Sequence, residues 1–305
     1  MMNTKKEITI NIFHDERLLQ KEKWLYHGML FVPSSSERWL INELARFRGE
    51  YDGFVHFSEL HNPSSNTAEG KKTATAKKWI QFLLQDTRFT RQVGEHNNFC
   101  ALVLGVNLKN LNRDCFGSGA DQNIYNRFFR TTLISGIRRF YSSDFEVVRV
   151  GRVFHGTQTM RGDNPLRWHP MWRIERDTFG DVVFDEPKLT TIAADHRRER
   201  LWPQQSHLIQ FTDTIIGSFS QCLDFSSTKR GCIEVAEELL PLVERLTKQP
   251  NNVNSKYFRK YGLNFFPSKL LTLEDLQSIE KHSSGFYTER MLNIRERRQS
   301  RLFPK

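Results

Sequence analysis

Five carboxylates stand where acidic groups could act together: Asp15-Glu16 after one strand-like run, Glu59 after another, Asp195 closing a later one, and Asp213 inside the helical stretch that follows. Acids at strand ends can converge on one edge of a sheet. Hard divalent cations take such oxygen ligands, and Mg²⁺ usually takes one or two carboxylates each. Two such ions roughly 4 Å apart can activate water and stabilise a leaving oxygen in phosphodiester cleavage. With 35 acids in 305 residues, spacing alone does not single these five out. Asp213 says more. It lies between Ile209 and Ile216 in an apolar run, and a carboxylate on a buried face needs a partner or a metal. Gln210, three residues earlier on the same helix face, could orient Asp213, a ligand or a phosphate.

Cationic and aromatic residues supply candidate contacts to a polyanion. Asp195 precedes His196-Arg197-Arg198-Glu199-Arg200, which reads either as a solvated loop or as an acid on a metal with Arg197 and Arg198 on phosphate oxygens. Residues 161–176 interleave Arg161, Arg167 and Arg173 with Trp168, His169 and Trp172. Trp168 and Arg173 could stack bases and clamp a backbone, or the segment is a hydrophobic hairpin with cationic edges. His56 reads as a packed or hydrogen-bonded histidine that can also shuttle protons.

Alternation of apolar and polar residues predicts strands over 7–13, stopping at His14-Asp15-Glu16, over 24–32, ending at Pro33, and over 53–58. A helix follows Ser34 through Arg48, with Trp39, Leu40, Leu44 and Phe47 on one face. Further helices are predicted over 73–89, 120–140, 204–223 and 231–248, and further strands over 99–106, 145–150 and 189–194. Strands first, then alternating helices and strands, suit a mixed sheet covered by helices. The expected organisation is one α/β domain over 1–248 and a basic, helical or irregular extension over 249–305 carrying Arg290, Arg295, Arg297, Arg298 and Arg301.

Composition narrows the function classes. A formal charge of +10 attracts polyanions, of which nucleic acid is the commonest. Cys100, Cys115, Cys222 and Cys232 form no Cys-x-x-Cys pair, so reduced thiols and a cytoplasmic setting are expected. The opening residues hold no apolar core of signal-peptide length, and the longest apolar run, 99–106, is too short to cross a bilayer. The phosphate-binding loop, the Gly-x-Ser-x-Gly elbow and His-Glu-x-x-His are all absent.

Four stretches resemble the bacterial domain-of-unknown-function family 3800. They are Ile12-Phe13-His14-Asp15-Glu16, Tyr26-His27-Gly28 through Val32-Pro33, Gly53-Phe54-Val55-His56-Phe57-Ser58-Glu59-Leu60, and Ser206-His207-Leu208-Ile209-Gln210-Phe211-Thr212-Asp213 through Gly217. The resemblance spans about residues 7–224. It implies a ribonuclease H-like fold and acids that bind Mg²⁺ or Mn²⁺, as one or two ions. On it, Asp15, Asp195 and Asp213 are expected metal ligands, Glu59 a further catalytic carboxylate, and the activity a metal-dependent nuclease. The chain departs from the pattern at Arg17, where the family has Ser, and at Phe54, where its third strand carries an acid before the His. Phe54 keeps a second expectation open: a catalytically inactive nucleic-acid-binding or assembly subunit, in a bacterial defence or mobile-element system. The basic extension is the candidate dock for a protein partner.

Overall fold

The computed structural model describes residues 6–21, 23–62, 67–85, 99–156, 171, 174–175, 178, 180–248, 260–272, 274 and 286–294. A seven-stranded mixed sheet forms its centre: β1 (Glu7–Leu19), β2 (Trp24–Pro33), β3 (Cys100–Asn107), β4 (Val147–Gly156), β5 (Val182–Phe184), β6 (Thr190–Ile192) and β7 (Tyr261–Phe266). The order is β5-β4-β1-β2-β3-β7, with β6 also pairing β4. β1, β2 and β3 form an antiparallel meander, β4 runs parallel to β1, β5 and β6 run parallel to β4, and β7 runs parallel to β3.

Helices cover both faces, and this is what makes β2 buried at all ten residues. On one face lie α1 (Ser34–Arg48), α2 (Ala68–Gln85), α4 (Pro203–Asp224) and α5 (Arg230–Lys248); on the other lies α3 (Ala120–Tyr141). Alternation along β1 sends Phe13 toward α4 and Ile10 and Ile12 toward α3.

The central helix is α4, buried from Leu208 through Asp224. Its hydroxyls are satisfied within the helix: Thr212 Oγ1 donates to the Leu208 carbonyl, Thr214 Oγ1 to Gln210 and Ser218 Oγ to Thr214, each at 2.8 Å. Two glycines let its neighbours close in. A Cβ on Gly28 of β2 would stand 2.2 Å from Ile216 Cγ1, and one on Gly217 would stand 2.1 Å from Phe57 Cγ.

Three elements differ from the sequence expectation. β1 does not stop at His14-Asp15-Glu16 but runs to Leu19, because Trp24–Gly28 of β2 continue to pair with it. Gly53–Ser58 is not a strand. His56 is extended, at φ −135° and ψ 128°, and a 3₁₀ turn follows over Phe57–Glu59. Two backbone donors of the segment, at Val55 and Phe57, meet side chains of α4 instead of a neighbouring strand. Third, Tyr261–Phe266, inside the expected extension, adds an edge strand to the main sheet. Arg290 is likewise not a solvated tail residue. It forms an ion pair with Asp224 at the end of α4 and lies 3.9 Å from the centre of the Trp24 ring. Arg295, Arg297, Arg298, Arg301 and Lys305 lie outside the described residues.

Candidate functional site

β1 brings Asp15 and Glu16, and α4 brings Asp213, to the lining of one cleft. Asp15 lies one residue past the last paired position of β1 with β4, His14 opposite His155. The neighbouring Gly156 has no side chain, and a Cβ there would stand 3.8 Å from Asp15 Oδ1. The cleft, of about 40 Å³, is lined by Asp15, Glu16, Phe54, His56, Gln210 and Asp213, among others. It opens beside the carboxyl ends of β4 and β6, where ligands gather in open α/β sheets.

Asp213 does two jobs. Its Oδ2 accepts the Phe57 backbone N–H at 2.7 Å, and its Oδ1 stands 3.9 Å from His56 Nε2. His56 Nδ1 in turn lies 2.7 Å from Ser58 Oγ. Asp15 Oδ1 accepts the Glu16 N–H at 3.0 Å, and Asp15 forms no ion pair among the described residues. Burial, then the Asp213 charge, then Glu16 push the Asp15 carboxyl well above the usual carboxylate range. A site that holds two repelling carboxylates out of water favours a proton or a cation between them.

The other expected site residues are placed differently. Asp195 follows the cleft-lining Ala194, but its carboxylate is taken by Arg197, whose Nε and Nη2 donate at 2.9 and 2.8 Å. That pairing holds the Asp195 carboxyl below its ordinary value. Arg198 Nε stands 3.6 Å from the same carboxylate, with an exposed side chain. Glu59 points away to Lys72 Nζ at 2.7 Å and is half exposed. Gln210 is a brace: Oε1 accepts from the Val55 N–H at 3.0 Å and from Arg48 Nη2 at 2.8 Å, and Nε2 donates to the Ala194 carbonyl at 2.8 Å. Burial lowers the Arg48 guanidinium to about 10, although its two terminal nitrogens bond Gly53, His207 and Gln210. Trp168 and Arg173 lie outside the described residues. The structure therefore gathers Asp15, Asp213 and Gln210, and gives Asp195 and Glu59 to cations.

A second polar cluster, on the α3 side of the sheet, was not anticipated. His14 of β1, His27 of β2 and His155 of β4 are fully buried. His14 Nε2 lies 3.1 Å from His27 Nδ1, and His14 Nδ1 lies 3.4 Å from His155 Nδ1. Tyr125 of α3 donates its hydroxyl to Glu16 Oε2 at 3.1 Å and stands 3.0 Å from His155 Nε2. Burial, then His155 and His27, lower His14 well below an ordinary histidine, and burial with His155 brings His27 down to about 3. Burial also lowers His155, against an opposing pull from Glu16. All three rings are thus neutral at neutral pH. The one available signal was period two: His14 and Glu16 share a face of β1, opposite Asp15. The cross-strand register that adds His27 and His155 is not written in local sequence.

Fold and cleft together define a mixed α/β protein whose sheet carries a paired-carboxylate site. No protein-family model, curated protein or solved structure matches the chain. Among the described residues, no helix is long and apolar enough to cross a membrane.

Proposed function

We propose that this chain is a metal-dependent nuclease of ribonuclease H-like fold, with Asp15 and Asp213 holding one hard divalent cation, Mg²⁺ or Mn²⁺. One observation carries the reading: two buried carboxylates, from a central strand and a central helix, share one cleft, and among the described residues no cation of the chain is in ion-pair contact with Asp15. The donor set fits the group. Both donors are carboxylate oxygens, two carboxylates are what a Mg²⁺ site usually offers, and water and phosphate complete the shell. With Asp195 on Arg197 and Glu59 on Lys72, the donors support one ion, not two. Bound there, the cation supplies charge stabilisation at the phosphate and a lowered pKa for attacking water.

The residues of the chain do the rest. His56, 30% exposed and beside Asp213, is placed to take or return a proton at Nε2. Arg198, on the Asp195 loop, presents an exposed cation to a polyanion backbone, and the net charge of +10 favours its approach. The mixed sheet with helices on both faces agrees with the ribonuclease H-like expectation. Four free cysteines suit a reducing compartment such as the cytoplasm.

A second reading, a binding or assembly subunit without catalysis, has a specific observation in its favour. Phe54 lines the cleft where the resembled family carries an acid, and its ring lies 5.7 Å from that of His56 between centroids, tilted by 37°. The test is cleavage of labelled single- and double-stranded DNA and RNA with Mg²⁺ or Mn²⁺, against chelator and Asp213→Asn. Metal-dependent cleavage lost in the variant supports the nuclease. Chelator-insensitive binding without cleavage supports the second reading.

A further inference from the structure

Across the sheet from Asp15, a different set of donors converges. One nitrogen each from His14 and His155 and one Glu16 oxygen lie within 4.8 Å of one another. His14 Nδ1 is 3.4 Å from His155 Nδ1 and 3.8 Å from Glu16 Oε2. These separations are long for hydrogen bonds, and the two imidazole planes meet at 68°. They are close to what an ion imposes: with zinc–ligand bonds of about 2.0–2.2 Å, tetrahedral donors sit about 3.4 Å apart.

We propose that the side chains of His14, His155 and Glu16 form a binding site for one zinc-class divalent transition-metal ion, distinct from the Asp15–Asp213 pair; His155 Nε2 stands 3.6 Å from Glu16 Oε2. The outer hydrogen bonds supply a second and independent argument. Each ring has a further partner: His14 Nε2 lies 3.1 Å from His27 Nδ1, and His155 Nε2 lies 3.0 Å from Tyr125 Oη. Tyr125 in turn donates a hydrogen bond to Glu16 Oε2. Ligating histidines are commonly held this way, with the outer N–H fixed by a second residue that sets tautomer and ring orientation. Two imidazoles and one carboxylate select zinc-class ions over Mg²⁺, which prefers an all-oxygen shell. Glu16 lines the cleft wall and gives the ion its way in.

The site does not depend on the nuclease reading. The full chain is stripped with chelator, incubated with Zn²⁺, desalted and assayed for metal by mass spectrometry, beside Glu16→Gln and Asp213→Asn. Co²⁺ replaces Zn²⁺ in a parallel sample for its tetrahedral absorption bands. The expected result is one Zn²⁺ per chain in the wild type and in Asp213→Asn, tetrahedral Co²⁺ bands, and affinity at least about tenfold weaker in Glu16→Gln. Wild-type protein that takes up no stoichiometric Zn²⁺ overturns the proposal without any variant having to fold. So does undiminished affinity in Glu16→Gln, or uptake lost in Asp213→Asn, which moves the ion to the cleft.

Discussion

Replacing Asp213 by Asn and by Ala separates its two jobs. Its Oδ2 holds the N–H of Phe57, a residue with no exposed surface, and its charge repels Asp15. Asn keeps an acceptor oxygen for that N–H and removes the repulsion. Ala removes both, leaving a buried donor unmade, which costs about 1–3 kcal/mol. Asn is therefore expected to leave stability unchanged or higher in chelator, and Ala to fall below Asn by about 1–3 kcal/mol. Urea unfolding followed by tryptophan fluorescence reads the difference. Both variants lose Mn²⁺-dependent cleavage, Asn while fully folded. If Asn is as destabilising as Ala, the acceptor is not what fixes the Phe57 turn. If Asn keeps full cleavage, Asp213 is not a ligand.

Further predictions concern the same cleft and the far end of the chain. The raised Asp15 carboxyl means that the folded protein binds its proton more tightly than the unfolded chain does. Metal-free stability should therefore fall as pH climbs from the ordinary carboxylate value toward the folded one, and Asp15→Asn should flatten that slope. Calorimetry in chelator across acidic pH checks the sign, and a slope that rises with Asp15 intact is the contrary result. Phe54→Asp places a further carboxylate at the cleft and should tighten Mn²⁺ binding by calorimetric titration; weaker or equal binding speaks against the ion's assigned place. Arg290→Ala removes the cation beside the buried Asp224 carboxylate, which keeps its hydrogen bond from Tyr26, and should cost about 3–5 kcal/mol in urea, with Asp224→Asn added recovering part of it. No loss in the single variant would mean that the contact with Trp24 and Asp224 is not populated in solution.

Helical periodicity was readable because one face of each helix is apolar: Leu40 and Leu44 in α1 and Trp79 and Leu83 in α2 are buried as the spacing predicts. Gly53–Ser58 misled because alternation reports an extended backbone, not what that backbone pairs with; its partners are Gln210 and Asp213, over 150 positions away. The strand Tyr261–Phe266 was missed because its six residues sit among polar and basic neighbours and find β3 only in three dimensions. Asp213 was legible as a charge in an apolar run. The fate of Asp195 was not read, although its partner Arg197 is only two residues on; that of Glu59 depends on Lys72, which α2 brings back. The histidine cluster rests on the registers of three strands and on Tyr125 from α3, and no local pattern announces it.

The placement of β7 and Arg290 has a consequence for biosynthesis. Domains generally begin folding from the N-terminal side while the ribosome is still adding residues. Here β3 leaves its backbone edge open until Tyr261–Phe266 arrive, and Asp224 and Tyr26 await their guanidinium until Arg290 has emerged. A nascent chain halted at the end of α5 exposes a buried-type strand with an unpaired edge, the kind of surface that recruits other unfinished chains. Completion of this sheet therefore waits on residues translated after α5, and the β3 edge stays unpaired by β7 until they arrive.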